Sequence, residues 1–310
     1  MTQIRNRIDP AERAPEILVT AIGEVLWDVF PSGPRFGGAP ANFACAVAGL
    51  AARKVSVAIV SAVGNDDLGQ QAIHALQRQG VATKSVTANE HQTGQVNVAL
   101  DQNGVASYEF VADCAWDNLT WTDELQAVAE KTDVVCFGTL GQRSTASKDT
   151  IQRFVRATAS DCLRIFDINL RPPYYSETVI RESLAIANVL KLNEDELPFL
   201  AGLLNVDGSE HERVIGIAEI AGLDVLALTR GENGALIYRD GLLSDFRGVD
   251  TEVVDTVGAG DAFTAAMVVG LLAGKEIDAI NREACEVAAF VCSQTGATPV
   301  MPSRFSTIGQ

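Results

Sequence analysis

The stretch "DTVGAGDAFTAAMVVGLLAG", Asp255–Gly274, joins a glycine-punctuated turn to a run that is apolar on almost every face. One acid, Asp261, falls in what reads as the first turn of that helix. Residues such as Phe263, Met267, Val268, Leu271 and Leu272 leave the helix no polar side, so it must be buried. A carboxylate at the mouth of a buried helix is costly unless something compensates it. Asp261 therefore reads as an acid facing a cleft, with the job of accepting a proton from a substrate hydroxyl. Gly258 and Gly260 let the backbone bend and approach a ligand closely. With Ala259 between them, the free N–H groups of the helix start and its dipole make an anion cradle of the oxyanion-hole kind. The dipole should also lower the pKa of Asp261, which a loose phosphoryl-transfer transition state tolerates.

Two other glycine motifs fail on this stretch. A P-loop needs a lysine after its second glycine, and none is supplied. A dinucleotide fingerprint needs a small third residue where Phe263 stands, and belongs early in a βαβ unit.

Working outward, apolar runs of strand length alternate with helical stretches. "EILVTAIG" (16–23), "VSVAIVSAVG" (55–64), "DVVCFG", "LRIFDINL", "NVLKLN" and "LDVLALT" read as buried strands. "APANFACAVAGLAA" (39–52) reads as a helix with Pro40 at its start, and further helices are expected near 66–79, 258–273 and 278–294. The alternation predicts a three-layer α/β/α core with a mostly parallel sheet. One region breaks the rhythm: "TGQVNVALDQNGVASYEFVA" (93–112) alternates around Gln102-Asn103-Gly104 as an antiparallel hairpin. With "EVLWDVFPSG" (24–33) it predicts a small β-sheet lid, formed by about 24–36 and 93–115, on a single domain spanning 16–310. Residues 1–15, polar and charged, read as a loose N-terminal extension with no assigned role.

The net charge of −16 argues against a nucleic-acid surface, and any anionic ligand must be held by local positive features. Six scattered cysteines form no C-x-x-C pair and no metal spacing with a histidine, as expected of buried thiols in a reducing compartment. No apolar leader or membrane-length run is visible, so the expectation is a cytoplasmic protein without membrane contact.

"DTVGAGDAF" resembles the C-terminal signature of the ribokinase-like, or PfkB, carbohydrate kinases, and "FGGAPANFACAVAGLA" (36–51) resembles their N-terminal signature. The resemblance runs from about Ile17 to Pro302. "GEVLWDVFP", "GGAPANFA", "AWD" and "DINLRPPY" look most like bacterial fructokinases. It implies ATP-dependent phosphorylation of a sugar hydroxyl, with Mg²⁺ and a K⁺-type monovalent cation. On the matching positions, Asp261 takes the place of the catalytic base, and Gly258, Ala259 and Gly260 that of the anion hole. Asp28, Gly37, Gly38 and Asn42 match sugar-contacting positions, and Arg171 matches the arginine that reaches the sugar side.

Asn42 also makes sense by itself, since an amide in an apolar helix must find a partner. Its alternative is a core asparagine bonded to backbone; that of Asp28 is an ordinary strand-end acid; that of Arg171 is a pair with Asp167. Asn193 and Glu196 of "NEDE" match the motif near the phosphates, with Glu196 on hydrated Mg²⁺ through water. The bland alternative is an N-cap asparagine with first-turn acids, and both can hold at once. Thr229 and Gly231 of "TRGENGA" match the nucleotide turn. Asp255 and Val257 match a monovalent-cation loop closed by backbone near Gly296. Ile168 departs from the pattern, standing where the family's strand end carries proline.

Three functions compete. The leading one is a fructokinase-like kinase, dimeric through its β lid. A second changes only the acceptor, to 2-keto-3-deoxygluconate, ribose or a nucleoside, the last needing a base pocket from Phe110 and Trp116. The third is a sugar-responsive regulator on a kinase scaffold, which the intact acid and glycines argue against.

Overall fold

β1 (Ile17–Ile22) is a continuous apolar run because both of its faces are covered, and β4 (Val55–Gly64) follows the same logic. The computed structural model describes residues 17–31, 33–51, 55–100 and 106–305. The N-terminal extension and the proposed turn at Gln102–Gly104 lie outside the described residues.

Between β1 and β4 come β2 (Leu26–Phe30), β3 (Gly33–Gly37) and α1 (Ala39–Leu50). After β4 the chain forms α2 (Asp67–Arg78), β5 (Val86–Asn89), β6 (Gly94–Leu100), β7 (Ala106–Phe110) and α3 (Asp123–Ala129). Then β8 (Val134–Gly138), α4 (Thr145–Ala157), β9 (Leu163–Asp167), α5 (Glu177–Leu184) and β10 (Val189–Asn193) alternate. α6 (Glu196–Leu204), α7 (Glu210–Ala221), β11 (Val225–Thr229), β12 (Ala235–Arg239), β13 (Leu242–Phe246), α8 (Ala259–Leu272) and α9 (Ile277–Cys292) complete the described chain.

Nine strands form one sheet in the order β13-β12-β11-β10-β9-β8-β1-β4-β5. The pairs from β11 through to β5 are parallel, and β12 is antiparallel to both its neighbours. Side chains alternate between two cores with the period of a strand. Val134 and Cys136 of β8, and Val225 and Ala227 of β11, face the layer holding α1, α2, α8 and α9. Val135, Phe137, Leu226 and Leu228 face the layer of α3 to α7. The α/β/α expectation holds, and α8 is buried from Ala262 to Gly270 as its all-apolar sequence demands.

Helix starts follow local chemistry. The Asp66 side chain accepts from the Gly69 amide to cap α2, and Ser209 and Glu212 form a reciprocal box at α7. A second, separate sheet has the order β3-β2-β6-β7. In it β2 runs parallel to β6, while β2–β3 and β6–β7 are antiparallel, with Val96 opposite Phe110.

Candidate active site

The chain winds from β1 to β4 and β5 on one side, and from β8 to β13 on the other. β1 and β8 therefore flank the point where the winding reverses, outside whose carboxyl ends open α/β sheets hold ligands. Glu24 leaves β1 there, Thr139 leaves β8, and Asp167, Asn193 and Thr229 end or follow from β9, β10 and β11. The N-termini of α1 and α8 meet them there, Gly38 against the Glu24 carbonyl and Gly260 against the end of Lys191.

Asn42, on the first turn of α1, donates through Nδ2 to Asp261 Oδ2 at 2.8 Å. It is thus neither a backbone-bonded core amide nor a free sugar contact alone. Its Oδ1 is buried without a protein partner. Burial pushes the Asp261 carboxyl up to about 6, and the charge of Asp167 adds to this, while the Asn42 bond, Lys191 and Arg171 pull it back. This corrects the expectation of a lowered pKa: desolvation outweighs the helix dipole. A carboxyl raised in this way is, once ionised, a stronger base than a surface carboxylate.

Gly258 has φ 80°, and a Cβ there would lie 2.6 Å from the Ala297 carbonyl oxygen. The Ala259 amide donates to the Thr256 carbonyl at 3.3 Å. By helix geometry the amides of Gly260 and Asp261 have no acceptor within α8 and face the turn.

Beneath the turn lies a cation that sequence motifs missed. Lys191 of β10 is buried, pairs with Asp167 at 3.2 Å, and sits 3.0 Å from where a Cβ on Gly260 would be. Burial works against its charge, but Asp167, Glu196 and Asp261 outweigh it and hold its pKa above the ordinary lysine value. Thr264 bridges the two parts, donating to Asp167 Oδ2 at 3.3 Å or the Gly260 carbonyl at 3.0 Å. No linear pattern announces this lysine. It is a polar residue in a strand, and its neighbours come from three other elements.

On the opposite side, Asp28 of β2 lies against the end of β3, its Oδ2 3.1 Å from the Cβ position of Gly37. Burial raises its pKa to about 6, against the pull of Arg171, with Asp255 raising it further and Arg35 lowering it. Arg171 is exposed, and its charge acts on Asp28, Asp261 and Glu24 alike. Asp167, its alternative partner from sequence, is occupied by Lys191 and Thr264. Gly38 has φ 107° and caps α1 against the Glu24 carbonyl.

Asn193 and Thr229 stand opposite each other at the ends of β10 and β11, with Gly231 (φ 53°) in the next turn. Asn193 Oδ1 accepts from the amides of Asp195 and Glu196 at 3.0 Å each, and Glu196 Oε2 accepts from the Asn193 amide at 2.8 Å. Glu196 Oε1 accepts from the Leu170 amide at 2.7 Å. Asn193 and Glu196 thus form a reciprocal pair just ahead of α6, while the helix's own N-cap is Asp195, without a side-chain cap bond. Asp255 Oδ1 accepts from the Val257 amide at 3.1 Å, and Oδ2 from the Gly296 amide at 3.1 Å. That brings the three expected loop residues together. Arg35 of β3 reaches Asp255 at 3.4 Å, linking the small sheet to the turn. Trp116, considered as a base platform, is buried under the Arg143 guanidinium at 4.1 Å and packs with Cys114, Leu140 and Phe110 of β7, so its ring is not open to a base.

A mostly parallel nine-stranded sheet between helical layers, with a four-stranded sheet beside its carboxyl edge, defines a ribokinase-like α/β protein. The pfkB family carbohydrate kinase profile matches residues 28–304, and the chain belongs to that family of sugar kinases. The fructokinase of Salmonella typhimurium is 30% identical over 271 residues, spanning 82% of this chain and 84% of its own. A sugar kinase of Pyrococcus horikoshii, solved in complex with ATP, has a TM-score of 0.75 at 27% identity, over 90% of this chain and 94% of that one. The fructokinase of Vibrio cholerae, solved with fructose, ADP and calcium, has a TM-score of 0.76 at 25% identity, over 93% and 97%.

Proposed function

We propose that this chain transfers the γ-phosphoryl group of ATP to a hydroxyl of fructose. The observation that carries the reading is the 2.8 Å bond from Asn42 to Asp261. It joins α1 to α8 and orients a buried base beside the 258–260 turn. Relatives named fructokinase, and a neighbour solved with fructose and ADP, support the choice of sugar.

In this reading Asp28, Gly37, Gly38, Asn42 and Arg171 hold the sugar, and Asn193, Thr229 and Gly231 line the phosphates. Asp261 takes the proton of the attacking hydroxyl as its oxygen bonds to the γ-phosphorus. The bond from that phosphorus to the leaving ADP oxygen breaks, and the turn amides with Lys191 beneath them offset the passing charge. The small sheet acts as a lid that excludes water. Its outer strands, β3 and β7, offer edges for pairing with a second copy.

Among the described residues no group of three or more acids, histidines or cysteines could cage a metal. Both Glu196 oxygens already accept backbone amides. This donor set suits a hydrated Mg²⁺, which draws most of its ligands from water and phosphate oxygens. Glu196 would hold it through water, and the ion would neutralise phosphate charge. Asp255 and Val257, with the Gly296 backbone, would hold a monovalent cation such as K⁺.

An ADP-release screen over hexoses, pentoses, keto-deoxy sugars and nucleosides, with Mg²⁺ and with or without K⁺, tests the reading. The highest kcat/KM is expected with fructose, and Asp261→Ala should lower kcat at least ~10²-fold while ATP binding persists. A preferred keto-deoxy sugar or pentose would reassign the acceptor. Near-wild-type turnover of Asp261→Ala would remove the base.

A further inference from the structure

Glu24 is a fully enclosed acid that the proposed reaction does not use. It follows β1 and is 3% exposed. The backbone amides of Glu24 itself and of Ala39, at the start of α1, pull its pKa down. One carboxyl oxygen, Oε2, is buried without a partner. Three glycines keep its surroundings clear. A Cβ on Gly23 would lie 2.9 Å from Pro40 Cγ, one on Gly38 would lie 2.7 Å from the Glu24 carbonyl, and one on Gly141 would lie 3.2 Å from Oε2 itself. Any side chain at these positions would press on this corner, so the room around the carboxyl is built in.

Glu24 also shares a cavity with Asp261, Asp167, Thr139, Asn169 and Cys136. Its free volume of about 10 Å³ for the centre of a solvent molecule is room for one water. An ionised carboxylate with one orphaned oxygen, beside two further acids, would be a poor occupant of that space. A protonated one has an O–H to give, and the cavity contains an acceptor for it.

We infer that Glu24 is a neutral, proton-carrying positioning residue for Asp261: its Oε2–H donates through one cavity water to the Asp261 carboxylate and, with Asn42, orients the base. The inference rests on the base role of Asp261. The charges facing Glu24 come from several elements: Asp261 on α8 and Arg171 after β9 bear on it directly, with Asp167 on β9 across the cavity. Burial pushes its carboxyl up to about 7, and the charge of Asp261 adds to this, while hydrogen bonds from the Glu24 and Ala39 amides and the charge of Arg171 act the other way.

The test compares Glu24→Gln, which keeps a donor, with Glu24→Leu, which does not. The readout is the acid limb of kcat/KM, which reports Asp261 in the free enzyme. A donor to a carboxylate lowers its pKa. Glu24→Gln is therefore expected to leave the limb in place with kcat within ~3-fold of wild type, whereas Glu24→Leu should move the limb to higher pH and lower kcat/KM about tenfold on it. An infrared band of a protonated carboxyl, lost in Glu24→Gln, should be present in the wild-type protein near neutral pH. A downward shift of the limb in Glu24→Gln would mean that Glu24 was ionised, and would overturn the inference. So would an unmoved limb in a folded Glu24→Leu, since a purely structural residue changes melting but not the limb. If Glu24→Leu does not fold, the Gln limb and the infrared band decide. Turnover retained by Asp261→Ala would refute the base assignment instead, leaving the Glu24 band in place.

Discussion

The hydrogen bond from Asn42 ties the protonation of Asp261 to a residue 219 positions away on another helix. Because that bond lowers the carboxyl's pKa, Asn42→Ala should raise it. Hydrogen bonds to charged groups contribute roughly 1.5–3 kcal/mol, so the acid limb of kcat/KM should move up by about one pH unit or more. An unmoved limb with weakened sugar affinity would leave Asn42 a sugar contact only. The sequence shows that an amide in an apolar helix needs a partner, and the glycine turn makes Asp261 stand out. It does not show that the two meet. Lys191, Asp167 and Thr264 are harder still: each is a single polar residue in an apolar run, and only the sheet's parallel winding gathers them under Gly260. Even the direction of the Asp261 shift depends on how much protein surrounds the carboxyl, which no local pattern encodes.

Elements were legible where tertiary burial and local pattern agree. β4 spans the same Val55–Gly64 read from its apolar run, and α2 begins beside its Asp66 cap. β3, "GPRFG", falls within the stretch read as lid (24–36), but proline, two glycines and an exposed arginine do not mark it as a strand of its own; its partner β2 imposes the pairing. β5 is short and half-exposed, and the β12–β13 hairpin at the sheet edge was not read either. The turn before α8 yields the prediction that belongs to this scale. Gly258→Ala must adopt a left-handed φ of 80° and drive its Cβ against the Ala297 backbone. Gly260→Ala meets only the flexible end of Lys191, at 3.0 Å. Gly258→Ala should therefore lose ~2 kcal/mol or more of stability together with most activity. Gly260→Ala should fold near normally and lose mainly kcat, as the lysine is pushed from beneath the turn. Matching melting temperatures for the two variants would contradict this account of the turn.

At the scale of the whole molecule, an acidic chain of net charge −16 encloses, among the described residues, four carboxyls whose pKa values rise on folding: Glu24, Asp28, Glu196 and Asp261. A carboxyl raised in this way favours the folded state while it is protonated. For Asp261 that contribution is complete below the unfolded value near 3.8 and is lost as pH rises through about 6. Above that, folding carries the cost of an ionised buried acid, up to roughly 3 kcal/mol for a shift of about two units and less where solvent enters the cleft. Asp261→Asn removes the charge and keeps an acceptor for Asn42. Without ligands it should therefore melt above wild type at pH 8, by roughly 2–4 °C for each kcal/mol recovered, and the gap should close near pH 4. The same chain should be almost inactive. A site held together for its own stability would show the reverse, with Asp261→Asn melting lower at pH 8. The expected pattern is that of a fold that keeps a destabilising charge because the reaction needs it.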